Sequence, residues 1–468
     1  MTVAIGEAFR SAMDERAIAS LRAVLGDRLE LGEACRAQHG SSEAHFKPMV
    51  PDAVAFARSA EEVASLVRIC AEHDLPVVPF GAGTSLEGHT LAVSGGLCVD
   101  LSGMNEIVAV NEEDLDCTVQ AGVTREQLNE YLRDRGLFFP IDPGANATIG
   151  GMAAARASGT NAVRYGTMRE AVLSLKAVMP DGRIVQTARR ARKSAAGYDL
   201  TRLLIGSEGT LGIIIEVTLR LHGIPETISS AVCAFDDLHG AVGTVIQAIQ
   251  LGVPLARIEL LDEVQITAIN AYARLELEEK PTLFFEFHGS SVSVIEQVEI
   301  VREIASTSGG GEFRWSNLPE ERSRLRKARH QAYYAALALR PGSIAWATDV
   351  CVPISRLADC LLETRAELDT ASMPTPIVGH VGDGNFHVIF VLDPDSEAEL
   401  AEAERLNAGL VRRALSMDGT CTGEHGIGLG KQHWLREELG DSVDLMRTIK
   451  HALDPRGLFN PGKIFPTG

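Results

Sequence analysis

Glycine-rich loops that follow short apolar strands constrain the fold of this chain more than any other feature. The strand predicted at Pro76–Phe80 runs directly into Gly81–Gly88, and further glycine-rich loops follow as far as Gly212. Glycine lets backbone N–H groups close on an anion, and phosphate oxygens are the usual guests. A single phosphate would not need so many loops, whereas an extended dinucleotide, contacted by backbone along its length, would need them.

The first loop matches neither of two common nucleotide signatures. A Rossmann fingerprint requires a following helix, but Leu97–Leu101 is predicted to be another strand. A Walker loop ends in Gly-Lys-Ser or Gly-Lys-Thr, and this loop does not. Taken alone, the loop fits an ordinary connection equally well, so the inference of a dinucleotide rests on the whole set.

A second feature is the histidine turn, Gly379–His387, which lies between two β-branched apolar runs. A strand, a tight turn and a second strand are predicted, and the turn brings His380 and His387 toward one space. Neutral imidazoles in that arrangement are good ligands for a divalent transition metal. Further along, Glu424 offers a carboxylate and His425 is left as an unligated base. The alternative is that these histidines only cap strands or bond to backbone.

Length, charge and cysteine usage limit the class of protein. A chain of 468 residues predicts two or three domains. The net charge of −19 argues against nucleic acid or anionic lipid as a broad partner. No apolar run approaches the ~20 residues that a membrane-spanning helix needs. Eight scattered cysteines without a Cys-x-x-Cys pair predict reduced thiols in a cytoplasmic protein.

Predicted elements divide the chain into regions. Residues 1–45 have apolar positions at helical spacing, and residues 1–22 carry acidic residues without an apolar core, so neither a secretory signal nor a transit peptide is expected. Around Pro225 the composition changes to strands and amphipathic helices typical of a second, α+β domain. Most of the basic side chains at 320–340 are expected on a solvated face, and one is expected to face a substrate anion.

Taken together, the motifs are similar to those of one flavoprotein family. The segments concerned are 79–84, 142–144, 159–161, 164–166, 206–212, 379–385 and 423–426. They resemble the FAD-linked D-2-hydroxy acid dehydrogenases, which are of the vanillyl-alcohol oxidase type, from about residue 45 to the end of the chain. Within this family the D-lactate dehydrogenase (cytochrome) branch is the most similar, through the segments 328–330, 348–355 and 453–458.

The resemblance implies an α+β fold in which a two-subdomain, PCMH-type FAD-binding domain is joined to an α+β substrate domain. The expected division is an N-terminal helical segment (1–45), the FAD-binding domain (46–225), the substrate or cap domain with the metal site (226–420), and a C-terminal segment (421–468). The C-terminal segment is expected to return to the FAD-binding domain and to close the active site.

The resemblance also implies FAD that is bound non-covalently. Thr84 stands where some relatives carry a flavin-linked histidine, and His89 lies beyond that place. Gly81–Ser85 are expected to hold the pyrophosphate, and Gly209 and Ile215 are expected to meet the adenosine side. The full set of expected cofactor-binding residues is Pro79, Gly81, Ala82, Gly83, Thr84, Ser85, Pro143, Gly144, Thr148, Gly150, Gly151, Gly159, Gly209, Ile215 and Asn460.

For the reaction, the resemblance implies that His380, His387 and Glu424 bind Zn²⁺ or Mn²⁺ and thereby the substrate. It implies His425 as the catalytic base and Arg329 as the residue that binds the substrate carboxylate. A 2-hydroxy acid chelates a metal with an open side, which lowers the pKa of the hydroxyl. His425 would then take the proton while the Cα hydride passes to flavin N5.

The expected substrate is D-lactate or a similar monocarboxylic D-2-hydroxy acid. Ala347 stands where the 2-hydroxyglutarate branch carries a lysine for a second carboxylate. A glycolate oxidase-type subunit and a D-2-hydroxyglutarate dehydrogenase are alternatives within the family. Outside it, a zinc-dependent hydrolase or a metal-binding scaffold subunit without activity would share the same ligand set.

The expected electron acceptor is a quinone, a cytochrome or an electron-transfer flavoprotein, with oxygen as a weaker option. A cytoplasmic location is expected, and peripheral association with the inner membrane is left open. A homodimer is one option for the oligomeric state.

Overall fold

The computed structural model describes residues 13–466, and these residues form four β-sheets covered by helices. The α+β fold predicted from the sequence is confirmed. Residues 1–12 lie outside the described residues. They belong to the predicted N-terminal helical segment and to the segment 1–22, for which neither a secretory signal nor a transit peptide was expected. Within residues 13–466, no helix has both the length and the apolar character needed to cross a membrane.

In the first half of the chain, short strands alternate with short helices. The helices are α1 (Glu15–Leu25), α2 (Glu33–His39), α3 (Ala60–Glu72), α4 (Arg125–Arg133), α5 (Ile149–Ala155), α6 (Ala162–Tyr165), α7 (Met168–Ala171) and α8 (Leu200–Leu204). The strands are β1 (Leu29–Glu30), β2 (Ala53–Phe56), β3 (Val77–Phe80), β4 (Leu97–Asp100), β5 (Ile107–Asn111), β6 (Asp116–Gln120), β7 (Leu137–Phe138), β8 (Val172–Val178), β9 (Ile184–Gln186), β10 (Ile213–Arg220) and β11 (His222–Gly223).

In the second half, the helices are longer and the strands form one large sheet. The helices are α9 (Leu238–Gln250), α10 (Glu263–Ala273), α11 (Ser291–Thr307), α12 (Pro319–His330), α13 (Ala332–Ala338), α14 (Leu357–Leu368), α15 (Glu397–Ser416), α16 (Gln432–Leu439) and α17 (Ser442–Leu453). The strands are β12 (Thr227–Ala234), β13 (Leu255–Leu261), β14 (Thr282–Gly289), β15 (Arg314–Ser316), β16 (Ile344–Ala347), β17 (Val350–Cys351), β18 (Ile377–His380) and β19 (Asn385–Leu392).

The first half carries two main sheets. One has the order β1-β2-β4-β3, with β2, β4 and β3 parallel, and the other is antiparallel with the order β5-β6-β10-β8-β9. Helices begin where the sequence predicts caps: Ser59 Oγ accepts the Glu62 amide at 3.1 Å at the start of α3. The glycine-rich loop leaves β3 at the carboxyl edge of this sheet. There it lies against the start of α5.

The large sheet has the order β15-β12-β14-β13-β18-β19-β16, and β17 pairs with β19. Side chains of α9, α11, α14 and α15 pack with those of the sheet in one hydrophobic cluster. A second cluster joins the sheet to α10 and α13. The sheet is therefore buried on both sides, so the polar side chains that its strands carry inward require partners.

The end of the chain returns to the first sheet. Val77 forms a parallel bridge with Phe459, and the Asn460 amide donates to the Val77 carbonyl at 2.8 Å. The buried Lys463 ammonium donates to the Leu91 carbonyl at 2.6 Å. These contacts, and the start of the large sheet at β12, support the predicted four-part division, which we keep as a proposal.

Candidate active site

A cleft of about 1230 Å³, counted to its open mouth, lies between the loop after β3, helix α5 and the C-terminal loops. Its walls contain most of the residues expected to bind FAD. Those that line it are Pro79, Gly81, Ala82, Gly83, Thr84, Ser85, Pro143, Thr148, Gly150, Gly151, Gly209 and Asn460. The structure therefore brings these distant loops around one space, and their role with FAD stays a prediction.

The loop after β3 has the character of an anion cradle. The backbone amides of Gly81–Ser85 form no hydrogen bond within residues 13–466, and Gly83 has φ +70°. A side chain at Gly81 would place its Cβ 2.2 Å from Thr148 Oγ1, so only glycine fits between this loop and the start of α5. Successive free amides of this kind suit the phosphate oxygens of a dinucleotide.

Helix α5 contributes small side chains to the wall of the cleft, and its first backbone amides are not free to bind an anion. The Ile149 amide donates to the Val123 carbonyl at 2.8 Å and the Gly150 amide to the Ala121 carbonyl at 2.8 Å. A Cβ on Gly150 would lie 2.5 Å from the Ala121 side chain. The small residues of α5 therefore let the helix pack closely, while its first amides are already bonded.

Three residues expected to bind FAD do not line the cleft. Gly144 lies between the lining residues Pro143 and Ala145 without being one of them. A Cβ on Gly159 would lie 1.8 Å from the Asp142 carbonyl oxygen, so this glycine permits two loops to touch. Ile215 is buried in the hydrophobic core, and its neighbour Ile214 lines the cleft. Successive residues of a strand face opposite sides, which explains this shift by one position.

The histidine turn has the predicted strand, turn and strand. Gly384 takes φ +79° in the turn, and Val378 pairs with His387 across the β18–β19 hairpin. His380 follows Val378 by two residues, so the two histidines lie diagonally on one face of the hairpin. Their ring centroids are 5.5 Å apart. The predicted convergence of His380 and His387 is therefore observed.

Both histidines direct Nε2 at Glu424. The Glu424 Oε1 atom lies 3.2 Å from His380 Nε2 and 3.3 Å from His387 Nε2. The other ring nitrogens are occupied, because Nδ1 of His380 contacts the Glu259 carboxylate at 2.8 Å and Nδ1 of His387 contacts the Thr348 carbonyl at 2.8 Å. These outer contacts occupy Nδ1, so Nε2 is the ring atom that each histidine offers to a metal, as in proteins whose histidines bind zinc.

The electrostatics of this trio favour a bound cation. Burial lowers the pKa of His380, but the carboxylates of Glu259 and Glu424 outweigh it and raise this pKa to about 10. Burial raises the pKa of Glu424, and the two histidines outweigh it and hold that pKa well below its usual range. Glu424 Oε2 is buried and has no hydrogen-bond partner within residues 13–466. The three donor atoms thus surround a place where positive charge is strongly stabilised.

His425 lies beside these three side chains at the wall of the cleft. Its ring stacks on His387 with a centroid distance of 4.9 Å and an interplanar angle of 11°. Nε2 of His425 is 4.0 Å from Glu424 Oε1, and Nδ1 is buried without a partner among the described residues. Burial lowers the pKa of His425 to about 4, so the imidazole is neutral at neutral pH and able to accept a proton.

Asp349 fixes the loop that carries Glu424 and His425. Its Oδ2 accepts the amides of Glu424 and His425 at 2.9 and 2.8 Å and the Thr422 hydroxyl at 2.8 Å. Sequence reasoning noted Asp349 only as part of a motif and gave it no role. The available signal was a charged residue directly after an apolar strand, which in a buried sheet must find partners.

Glu259 joins Arg329 to the histidine site. Arg329 donates from Nε to Glu259 Oε2 at 2.7 Å, and Glu259 is the carboxylate that also holds His380 Nδ1. Within residues 13–466, the remaining N–H groups of Arg329 have no hydrogen-bond partner. The neighbouring Arg257 and Arg326 instead approach the Asp142 carboxylate at 3.4 and 3.3 Å. Sequence reasoning missed Glu259, although a lone carboxylate within the apolar strand β13 was a usable signal.

Two family models match the chain. The model described as FAD linked oxidases, C-terminal domain, matches residues 224–464, and the model described as FAD binding domain matches residues 51–188. A Danio rerio protein named probable D-lactate dehydrogenase, mitochondrial, is 54% identical over 460 residues, which cover 97% of this chain and 93% of that protein. An Arabidopsis thaliana protein named D-lactate dehydrogenase [cytochrome], mitochondrial, is 50% identical over 452 residues, which cover 96% of this chain and 80% of that protein.

Solved structures support the fold alone. The crystal structure of p-cresol methylhydroxylase with substrate bound matches with a TM-score of 0.82, at 15% identity, and the match covers 98% of each chain. At that identity the shared backbone carries no statement about substrate. It does show that this chain shares the overall fold of that protein.

Proposed function

This chain belongs to the FAD-linked oxidase family and is an FAD-linked oxidoreductase, and we propose that it oxidises D-lactate, or a similar monocarboxylic D-2-hydroxy acid, to the 2-oxo acid. The observation that carries the proposal is the convergence of His380, His387 and Glu424 beside a neutral His425 at the wall of the glycine-lined cleft. Family membership overturns the alternative of a zinc-dependent hydrolase.

The residues present fit both a flavin dinucleotide and a divalent metal. When bound, FAD accepts a hydride and Zn²⁺ or Mn²⁺ polarises the oxygens of the substrate. We assign the metal to Nε2 of His380, Nε2 of His387 and Oε1 of Glu424, because these atoms and their partners match the donors that such metals prefer. The free amides of Gly81–Ser85 support the assignment of the pyrophosphate to that loop.

Arg329 and His425 would orient the substrate and move its proton. Arg329 keeps N–H groups for the substrate carboxylate after its Nε has bonded to Glu259. Nε2 of His425 faces the side of Glu424, so we assign acceptance of the hydroxyl proton to this atom. Glu259 contacts both Arg329 and His380, so one buried side chain sets the distance from the carboxylate anchor to the proposed metal ligands, which favours one orientation of the substrate.

A monocarboxylate is favoured by the side chains of β16. Ala347 offers no charge to a second carboxylate, and it pairs with Ile389, which lies on the same face of β19 as His387. A glycolate oxidase-type subunit and a D-2-hydroxyglutarate dehydrogenase stay as the alternatives. The names of the two relatives favour D-lactate.

For the electron acceptor we propose a cytochrome, as the name of the Arabidopsis relative suggests, with a quinone or an electron-transfer flavoprotein as alternatives. The cytoplasmic location and the homodimer stay predictions. Both relatives described above are named as mitochondrial, which the sequence reasoning did not anticipate.

Anaerobic reduction of the flavin by a panel of D- and L-2-hydroxy acids tests the proposal. D-lactate is expected to bleach the flavin spectrum, L-lactate to leave it unchanged, and verified removal of the metal by a chelator to slow bleaching strongly. A purified protein without a flavin spectrum, preference for the L-isomer, or full activity after metal removal would each contradict it. D-2-hydroxyglutarate or glycolate as the best substrate would select the corresponding alternative.

A further inference from the structure

The loop Gly206–Gly212 was expected to serve FAD through Gly209, but its Glu208 makes the more specific contacts. This buried carboxylate accepts the Ile427 amide on Oε1 at 2.7 Å and the Gly428 amide on Oε2 at 2.8 Å. These amides follow the base His425 by two and three residues. Glu208 therefore holds the backbone on the C-terminal side of His425, while Asp349 holds the backbone amide of His425 itself.

Glu208 is also linked to the loop expected to hold the pyrophosphate. His89 Nε2 lies 3.0 Å from Glu208 Oε2, and His89 Nδ1 forms a hydrogen bond with the hydroxyl of Ser85. Ser85, His89, Glu208 and His425 all line the cleft. One continuous series of contacts thus runs from the glycine-rich loop to the backbone beside the base.

The backbone at Glu208 is held in an unusual conformation. Its φ of 53° lies in the left-handed region, which glycine adopts far more readily than glutamate. The Glu208 amide donates to the Ala154 carbonyl at 2.9 Å, and the Glu208 carbonyl accepts from Asn460 Nδ2 at 2.7 Å. A Cβ on Gly426 would lie 2.7 Å from Glu208 Oε1, so the catalytic loop approaches this carboxylate as closely as its backbone allows.

We propose that Glu208 is a positioning residue that couples occupation of the pyrophosphate loop to the placement of His425. The inference rests on the proposed function, because it takes His425 as the base. The carboxylate presents one oxygen to each of two amides, and its Oε2 lies 3.0 Å from His89 Nε2, a close contact without hydrogen-bond geometry. When the Ser85 loop is fixed by its ligand, His89 and Glu208 are fixed with it, and the base is held at its working distance. Small displacements of such groups cost about 100-fold in rate.

Glu208→Gln tests the proposal in the FAD-loaded, metal-loaded protein. Glutamine keeps one acceptor oxygen and turns its NH₂ group toward the second backbone amide, so one of the two hydrogen bonds is lost. Hydrogen exchange at Ile427 and Gly428 is expected to become at least tenfold faster. The flavin-reduction rate at saturating D-lactate is expected to fall at least tenfold, with KM within threefold of wild type and with unchanged FAD and metal content.

Glu216→Gln is the matched control, because Glu216 is a partly exposed carboxylate that pairs with Lys176 at 3.0 Å, away from the cleft. Wild-type exchange and rate are expected for it. Ser85→Ala tests whether Glu208 transmits occupation of the glycine-rich loop or only holds the backbone beside His425. This variant leaves Glu208 intact but removes the hydrogen bond from the loop to His89. Adding FAD to the FAD-free wild type is expected to slow exchange at Ile427 and Gly428, and this protection is expected to be smaller in Ser85→Ala.

Unchanged exchange and unchanged flavin reduction in Glu208→Gln would overturn the proposal. So would FAD loss from this variant without faster exchange at Ile427 and Gly428, because Glu208 would then serve the cofactor alone. If Glu208→Gln does not fold, equal FAD protection in Ser85→Ala and wild type would still refute the coupling. A wild type whose flavin no D-2-hydroxy acid reduces would contradict the proposed function and leave the exchange readout intact.

Discussion

Replacement of Glu259 by glutamine is the sharpest test of how the proposed metal site is built. Glu259 is buried, and it contacts His380 Nδ1 at 2.8 Å and Arg329 Nε at 2.7 Å. Both groups donate, and the carboxylate accepts from both. Glutamine is neutral and has one acceptor oxygen in place of two, so its NH₂ group takes the place of an oxygen that lies 2.7 to 2.9 Å from a donor. Its NH₂ group must therefore face either Arg329 or His380.

Facing His380, the new NH₂ group would reverse the tautomer. His380 would accept at Nδ1 and carry its proton on Nε2, the atom that points at Glu424. A proton there blocks metal ligation. Loss of an outer partner of a metal-binding histidine costs 10- to 100-fold in metal affinity, or about 1.4 to 2.7 kcal/mol. If the NH₂ group faces Arg329 instead, it would weaken the contact that holds Arg329, the proposed anchor of the substrate carboxylate, and KM would rise.

Competitive titration with a fluorescent chelator measures the metal affinity directly, and the flavin spectrum verifies that the FAD site is intact. Glu259→Gln is expected to bind Zn²⁺ or Mn²⁺ at least tenfold more weakly, and Glu216→Gln to match wild type. Metal affinity within twofold of wild type, together with an unchanged KM, would refute the role assigned to Glu259.

Three further predictions concern the base, the anchor and the pH dependence. His425→Ala is expected to keep FAD and metal but to slow flavin reduction by about 10²- to 10⁴-fold, which stopped-flow measurement checks, and retained turnover would remove His425 as the base. Arg329→Met is expected to lose a charge-assisted contact of about 1.5 to 3 kcal/mol, measured as a 10- to 100-fold lower kcat/KM for D-lactate. Because the metal must displace a proton from His380, whose pKa is raised to about 10, metal affinity is expected to rise with pH, by about tenfold per unit for each proton released. Affinity that is flat from pH 7 to 9 would contradict that proton displacement.

Local patterns were sufficient for many of the elements and for the histidine turn, whereas most candidate site residues came from the family resemblance. Ser59 and Thr124 cap the starts of α3 and α4, and such caps can be read from the sequence because they depend on only a few neighbouring residues. The turn at Gly384 likewise places His380 and His387 on one face. The division into four parts and the roles of the site residues stay predictions, and they now have geometric support.

Contacts between distant segments could not be predicted. Glu259 stands 121 residues before His380, and Glu208 stands 219 residues before Ile427. Nothing in the local sequence of either carboxylate specifies which backbone or side chain it will meet. Ile215 was expected to line the cofactor cleft but lies in the hydrophobic core for a related reason. The face that a strand residue presents is set by the sheet around it.

The sequence by itself determined the chemical groups that this chain can offer: glycine-rich loops suited to a dinucleotide, two histidines on a hairpin, a Glu-His pair between glycines, and a cluster of basic side chains at 320–340. The tertiary structure alone decided how these groups are held. Buried carboxylates at 208, 259 and 349 fix protons, amides and an arginine around the site. A buried charge must find partners wherever the fold brings them, so the identity of those partners depends on the packing of the whole chain.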